Sequence, residues 1–131
     1  MTNAARYLGL IIATFPELRS ALEEEDDGIY SKTHVFTNAI NAAIVRGDWD
    51  MVQRAYELMD RILREDPSDE VYNVVYVSFV EHLDFTDPKN GEAAKRLLTP
   101  RLLQAWHELE EYWRKLHEER KRETGRQPRP S

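Results

Sequence analysis

Four histidines, His34, His82, His107 and His117, are the side chains best suited to hold a metal or move a proton near neutral pH. The strongest grouping is Glu81 and His82 with Asp84, an acid–imidazole–acid set that would suit a metal-dependent hydrolase. It falls where a long apolar run ends, and the ordinary reading is polar groups placed where a core helix reaches solvent. Di-iron bundles carry a Glu three residues before a ligand His. Here Ser31, Phe79, Gln104 and Arg114 hold those places. His107 and Glu110 share a helical face, as do His117 and Lys121, which fits a surface hydrogen bond better than half a metal site. Ser78 is the one polar side chain deep in the apolar run, but it lacks a Gly-x-Ser-x-Gly elbow and a placed base. Its hydroxyl is expected to bond back to the carbonyl one turn earlier. The chain has no cysteine, which excludes disulfides, thiolate chemistry and cysteine–zinc sites. Its five glycines are scattered and build no phosphate-cradling loop. No catalytic, cofactor or metal-binding set is therefore assigned, and the chain is read as a non-enzyme.

Charge offers a different chemistry. Residues 1–98 carry 10 Lys and Arg against 18 Asp and Glu, a net −8, while residues 99–131 carry 8 against 6, a net +2. An acidic body disfavours nucleic acid, whose phosphates demand cations, and favours a basic protein partner. The candidate partner-binding residues are the run Glu23, Glu24, Glu25, Asp26 and Asp27, then Asp48 and Asp50. The Arg46-Gly47-Asp48 triplet has the letters of an integrin ligand, but a helix C-cap glycine followed by an N-cap aspartate explains all three residues.

These side chains must be positioned by helices. Residues 70–83, EVYNVVYVSFVEHL, are apolar in every register, so this segment is expected at the centre of the core and covered all round. Its β-branched content suits a strand, but the Ser68 cap with Asp69 and Glu70 in the first turn, and helical neighbours on both sides, favour a helix over about 69–83. Ahead of it, Thr2 or Asn3 caps a first helix with a Leu8, Ile11, Phe15, Leu18 and Leu22 stripe. Pro16 forces a restart there, with Thr14 as cap. A second helix is predicted to begin near Ser31 or Thr33 and to bury Phe36, Ala39, Ile40, Ala43 and Ile44. Thr33 and Asn38 have cap or surface roles. A third spans about Trp49 to Glu65 on a Trp49, Val52, Tyr56, Met59 and Leu63 stripe, antiparallel to the second. After a loop at 84–91 come a short helix, Glu92 to Leu98, and a long one opened by Thr99-Pro100. The last stripe, Leu102, Trp106, Leu109, Trp113 and Leu116, stops at Leu116, beyond which the helix is solvated. Most aromatics fall on such stripes and read as core; Trp49 and Trp113 are the two expected to be partly exposed. Residues 125–131 read as a disordered basic tail on a 1–124 bundle domain.

Three phrases carry a resemblance: Phe15-Pro16-Glu17-Leu18, Val77-Ser78-Phe79-Val80-Glu81-His82-Leu83, and Leu97-Leu98-Thr99-Pro100-Arg101-Leu102. Together they resemble an uncharacterised family of small all-helical bacterial proteins, some of which look like immunity proteins of toxin–immunity systems. The resemblance implies helix for 70–83 and a role in binding a protein, and it supplies no catalytic residues.

The expectation is a single-domain, all-α antiparallel bundle of five to six helices with a buried central helix. It is expected to act as a cytoplasmic binding module for a basic partner, without nucleic acid, membrane or cofactor. No stretch approaches the roughly 18 apolar residues of a membrane span. The run Tyr7–Ala13 follows only Arg6 and meets Pro16, so it reads as mature helix rather than a signal peptide. The alternative is a structural homo-oligomer, such as a homodimer or assembly adaptor, pairing through the last helix. The metal-dependent hydrolase of Glu81, His82 and Asp84 ranks third.

Overall fold

The computed structural model describes residues 2–66 and 68–126, with the side chains of 123–126 excepted. Every regular element among them is helical. In order these are α1 (Asn3–Thr14), a 3-10 turn (Pro16–Leu18), α2 (Arg19–Glu24), α3 (Ile29–Arg46), α4 (Trp49–Glu65) and α5 (Asp69–Val74). Helix α5 passes directly into a π turn (Val75–Phe79) and a 3-10 turn (Val80–His82). Then come α6 (Gly91–Arg96) and α7 (Pro100–Arg126). The all-α, single-domain expectation is met. The helix count rises to seven because Pro16 divides the first predicted helix into α1 and α2.

The caps show why these boundaries fall where they do. Thr2 accepts a hydrogen bond from the Ala5 amide, Asp48 from Met51 and Ser68 from Val71. Gly47 sits in the left-handed region at φ 73°, and the Gly47 and Asp48 amides bond back to Ile44 and Ala43. That closure turns α3 into α4 as an antiparallel pair. Two predicted caps are corrected. The Thr14 hydroxyl donates to the Leu10 carbonyl at 2.9 Å and so ends α1 rather than opening the next segment. Helix α3 starts at Ile29, ahead of Ser31, because the positive-φ Gly28 reverses the chain. Thr33 is consequently not a cap. It is fully buried, one turn inside α3, and shares a 2.9 Å hydrogen bond with the buried Tyr7 hydroxyl.

The central segment is a helix, and α1, α3, α4 and α7 all pack against it. Val71, Val74, Val75, Phe79, Val80 and Leu83 are buried. Phe79 ends a chain of rings through Phe36 (5.9 Å between centroids) to Phe15 (5.4 Å), with Tyr56 edge-on at 6.4 Å. Arg54 closes this cluster from outside: its guanidinium lies 4.8 Å over Phe15 and donates to the terminal Thr14 carbonyl of α1 at 2.7 Å. The segment is not covered all round, however. Tyr72 is 44% exposed and Val77 40%. Positions 72, 73, 76 and 77 share one side of the helix, so the run presents one open edge.

Helix α7 is docked only over its first half. Leu102, Trp106 and Leu109 are buried, whereas Trp113 is 40% exposed and Tyr112 59%. Burial thus ends two positions earlier on the stripe than predicted. The part beyond Glu110 extends about 24 Å at 1.5 Å per residue. It is held as helix by ion pairs such as Arg114 with Glu111 and with Glu118 (2.8 Å). Helix α7 runs through Gly125 and Arg126, two residues into the predicted tail; residues 127–131 lie outside the described residues.

Candidate functional site

The Glu81, His82 and Asp84 group does not assemble. Asp84 accepts bonds from the Thr86 amide at 2.9 Å and the Thr86 hydroxyl at 2.6 Å, which hold its carboxyl below the usual carboxylate range. His82 stacks on His34 of α3 with ring centroids 4.4 Å apart. Among the described residues no three His, Asp or Glu side chains are placed to hold a metal ion. The loop after the central segment is instead tied to α3 through its main chain. Asn41 donates to the His82 carbonyl at 2.8 Å and accepts from the Asp84 amide at 3.0 Å. Asn90 donates to the Ile44 and Val45 carbonyls, capping the end of α3.

Ser78 is buried, and the bond seen there is at its carbonyl, which accepts from the Thr37 hydroxyl at 2.8 Å. The back-bonding hydroxyl expected at Ser78 is found at Thr37, whose one proton is shared between the Ser78 carbonyl and the Thr33 carbonyl one turn earlier, at 2.9 Å. A π turn leaves a carbonyl such as that of Ser78 in need of an outside donor, and Thr37 supplies it. His107 and Glu110 form the surface hydrogen bond their spacing implied, at 3.1 Å.

The predicted acidic residues separate into two places. Glu23, Glu24, Asp26 and Asp27 are exposed on the turn between α2 and α3, with Glu25 half-buried. Lys32 pins this turn from below by donating to the Leu22 and Glu25 carbonyls, at 2.5 Å each. Glu23 has an ion pair with Arg19 (3.9 Å); among the described residues Glu24, Asp26 and Asp27 have none. Asp48 and Asp50 lie at the other end of α3, about 27 Å away along its 18 residues. They are occupied there: Asp48 caps α4 and meets Arg46 at 3.3 Å, and Asp50 meets Arg54 at 3.7 Å. The seven acids therefore do not form one patch.

One feature was missed by sequence reasoning. Tyr72 and Tyr76 stack at 6.0 Å along the open edge of the central segment. Beside them lies a groove of about 400 Å³ against α7, lined by Leu63, Tyr72, Arg101, Gln104, Ala105 and Glu108. Partial burial, and after it the Glu108 carboxylate, raise both tyrosine hydroxyls above their ordinary range. The signal available in the sequence was two phenols four residues apart in an otherwise aliphatic run, because a phenol oxygen seeks water or a partner. Trp49 and Trp113 are partly exposed, as expected. Trp106 is buried against Phe85 and Trp113, with no partner for its Nε1–H among the described residues.

This chain belongs to the family described as Domain of unknown function (DUF7674), which it matches over residues 8–114. The matched span ends within α7, close to where that helix leaves the body. No curated protein and no solved structure matches the chain.

Proposed function

We propose that this protein is a non-catalytic, cytoplasmic binding module that captures a more basic protein, in the manner of a bacterial immunity protein neutralising a toxin. The observation that carries this reading is the turn between α2 and α3. Three carboxylates on it and at the end of α2, Glu24, Asp26 and Asp27, have no ion-pair partner among the described residues. Lys32 fixes the main chain of the turn, which lowers the ordering cost of presenting the charges. A fixed negative surface of this kind accelerates encounter with a basic partner and disfavours acidic ones. The resemblance of the Phe15–Leu18 and Val77–Leu83 phrases to immunity-like proteins supports the same reading. Asp48 and Asp50 contribute to the overall field and not to the contact.

The test begins with affinity capture from native lysate at low and high salt, to identify a stoichiometric basic partner. Association is then timed with the Glu24→Lys/Asp26→Lys variant. The expected result is a roughly tenfold slower association at low salt that converges with wild type at high salt. An unchanged rate at low salt would refute the acidic-surface reading.

A second reading, a homo-oligomer or adaptor pairing through α7, is favoured by the exposure of Tyr112 and Trp113 where that helix leaves the body. Sedimentation at high micromolar concentration decides it, since a monomeric mass there leaves it without support.

A further inference from the structure

We propose that the groove between the central segment and the first half of α7 receives an arginine side chain of the basic partner, with Tyr72 and Glu108 as its contacts and Tyr76 stacked against Tyr72. The inference rests on the binding-module reading above and names the surface that the reading leaves open.

Three independent features converge on this groove. The first is a platform: Tyr72 lines the groove and is 44% exposed, and the Tyr76 ring supports it from 6.0 Å away, only 17° from parallel. Stacked, accessible phenol faces attract a flat cation through the ring quadrupole. The second is a counter-charge. Glu108 lines the same groove, is exposed, and has no cationic partner among the described residues. Tyr112 follows it one turn later on the same helical face, extending the aromatic surface. The third is that the groove's own cation, Arg101, already has a carboxylate partner. The Arg101 guanidinium reaches Asp60 at 3.7 Å, and Asp60 also accepts from the Thr99 hydroxyl at 2.7 Å. Glu111, on the other flank of α7, is committed to Arg114. The site thus offers aromatic faces with a carboxylate at their edge, and a recess of about 400 Å³ is deep enough for a side chain. A guanidinium fits this better than an ammonium, because it stacks flat and is more weakly hydrated.

Full-length protein is titrated with an octa-arginine peptide and, separately, with octa-lysine at physiological salt, followed by calorimetry and by amide NMR shifts. Variants are Glu108→Gln, Tyr76→Leu and, for the other surface, Glu24→Lys/Asp26→Lys. Circular dichroism confirms folding, and the exposed Glu108 gives a variant with no reason to unfold. The expected result is tighter binding of octa-arginine than octa-lysine, shifts centred on residues 72, 76 and 105–112, and a tenfold or greater loss in Glu108→Gln and Tyr76→Leu. If binding survives those two variants but is lost on reversal at the α2–α3 turn, the groove is overturned while the acidic-turn reading stands. If the groove variants abolish binding and the turn variant changes nothing, the groove stands and the turn reading falls. No binding of octa-arginine overturns the proposal. So does self-association that Tyr76→Leu dissolves, which would make a second copy the occupant.

Discussion

The polar residues that matter most to this fold are buried where hydrophobic patterning would place carbon. Tyr7 lies under α3 with its hydroxyl 2.9 Å from that of Thr33 and 4.0 Å from the Met59 sulfur. Removing one partner leaves the other without a bond in a dry site, and such a buried orphan costs about 1–3 kcal/mol. Tyr7→Phe is therefore expected to destabilise by about that amount in urea unfolding. Tyr7→Phe/Thr33→Val should then cost less than the two single variants summed, since neither orphan remains. Burial also raises the Tyr7 and Tyr56 hydroxyls above their ordinary range. For an acid of raised folded pKa, the unfolded chain loses its proton first. Stability is then complete below the unfolded value and falls as pH rises through the window above it. The urea midpoint should hold to about pH 10 and drop beyond it. Tyr7→Phe and Tyr56→Phe should each flatten that drop.

At the scale of elements, the informative piece is the central segment, which begins as α-helix, loosens into a π turn and tightens into 3-10 before it ends. Its irregular carbonyls are satisfied from α3, by Thr37 at Ser78 and by Asn41 at His82. Asn41 also receives the Asp84 amide, so one side chain fixes both the end of the helix and the start of the loop. Asn41→Ala is expected to cost about 1–2 kcal/mol for these two bonds. Hydrogen exchange at Leu83 to Phe85 should accelerate more than exchange in α4. Uniform loss of protection would instead show that Asn41 supports the whole core. Gly91 marks the other end of this loop: a Cβ there would collide with the Phe85 carbonyl, so only glycine permits the chain to pass.

At the scale of the whole molecule, the body and the end of α7 are distinct. Ion pairs and i,i+4 contacts hold the far end of α7, and past Leu116 it buries little. Ending the chain at Arg114, where the family match ends, should leave the cooperative thermal transition within a few degrees of the full-length value. A drop of ten degrees or more would show that the extension packs on the body or on a second copy. The same truncation removes more cations than acids from a chain of net charge −6, and the remaining domain would be more strongly acidic.

The sequence by itself determined whatever depends on neighbours close along the chain. The Thr2, Asp48 and Ser68 caps, the Gly47 turn, the full extent of α4 and the break at Pro16 are local conformational facts, written in one residue's φ preference or one side chain's reach. Stripe periodicity likewise gave the all-α class and most of the core. Only the tertiary structure decided which apolar residues stay open and which acids stand together. Tyr72 and Val77 look as buried as Val71 in the sequence, and only the packing of the neighbouring helices leaves their edge of the segment open. The acids at 23–27 and at 48–50 read as one charge reservoir in composition, yet α3 stands between them as a rigid rod about 27 Å long. Tyr72 meets Glu108 across more than thirty positions of chain, and only the packing of α7 on the central segment brings that groove into being.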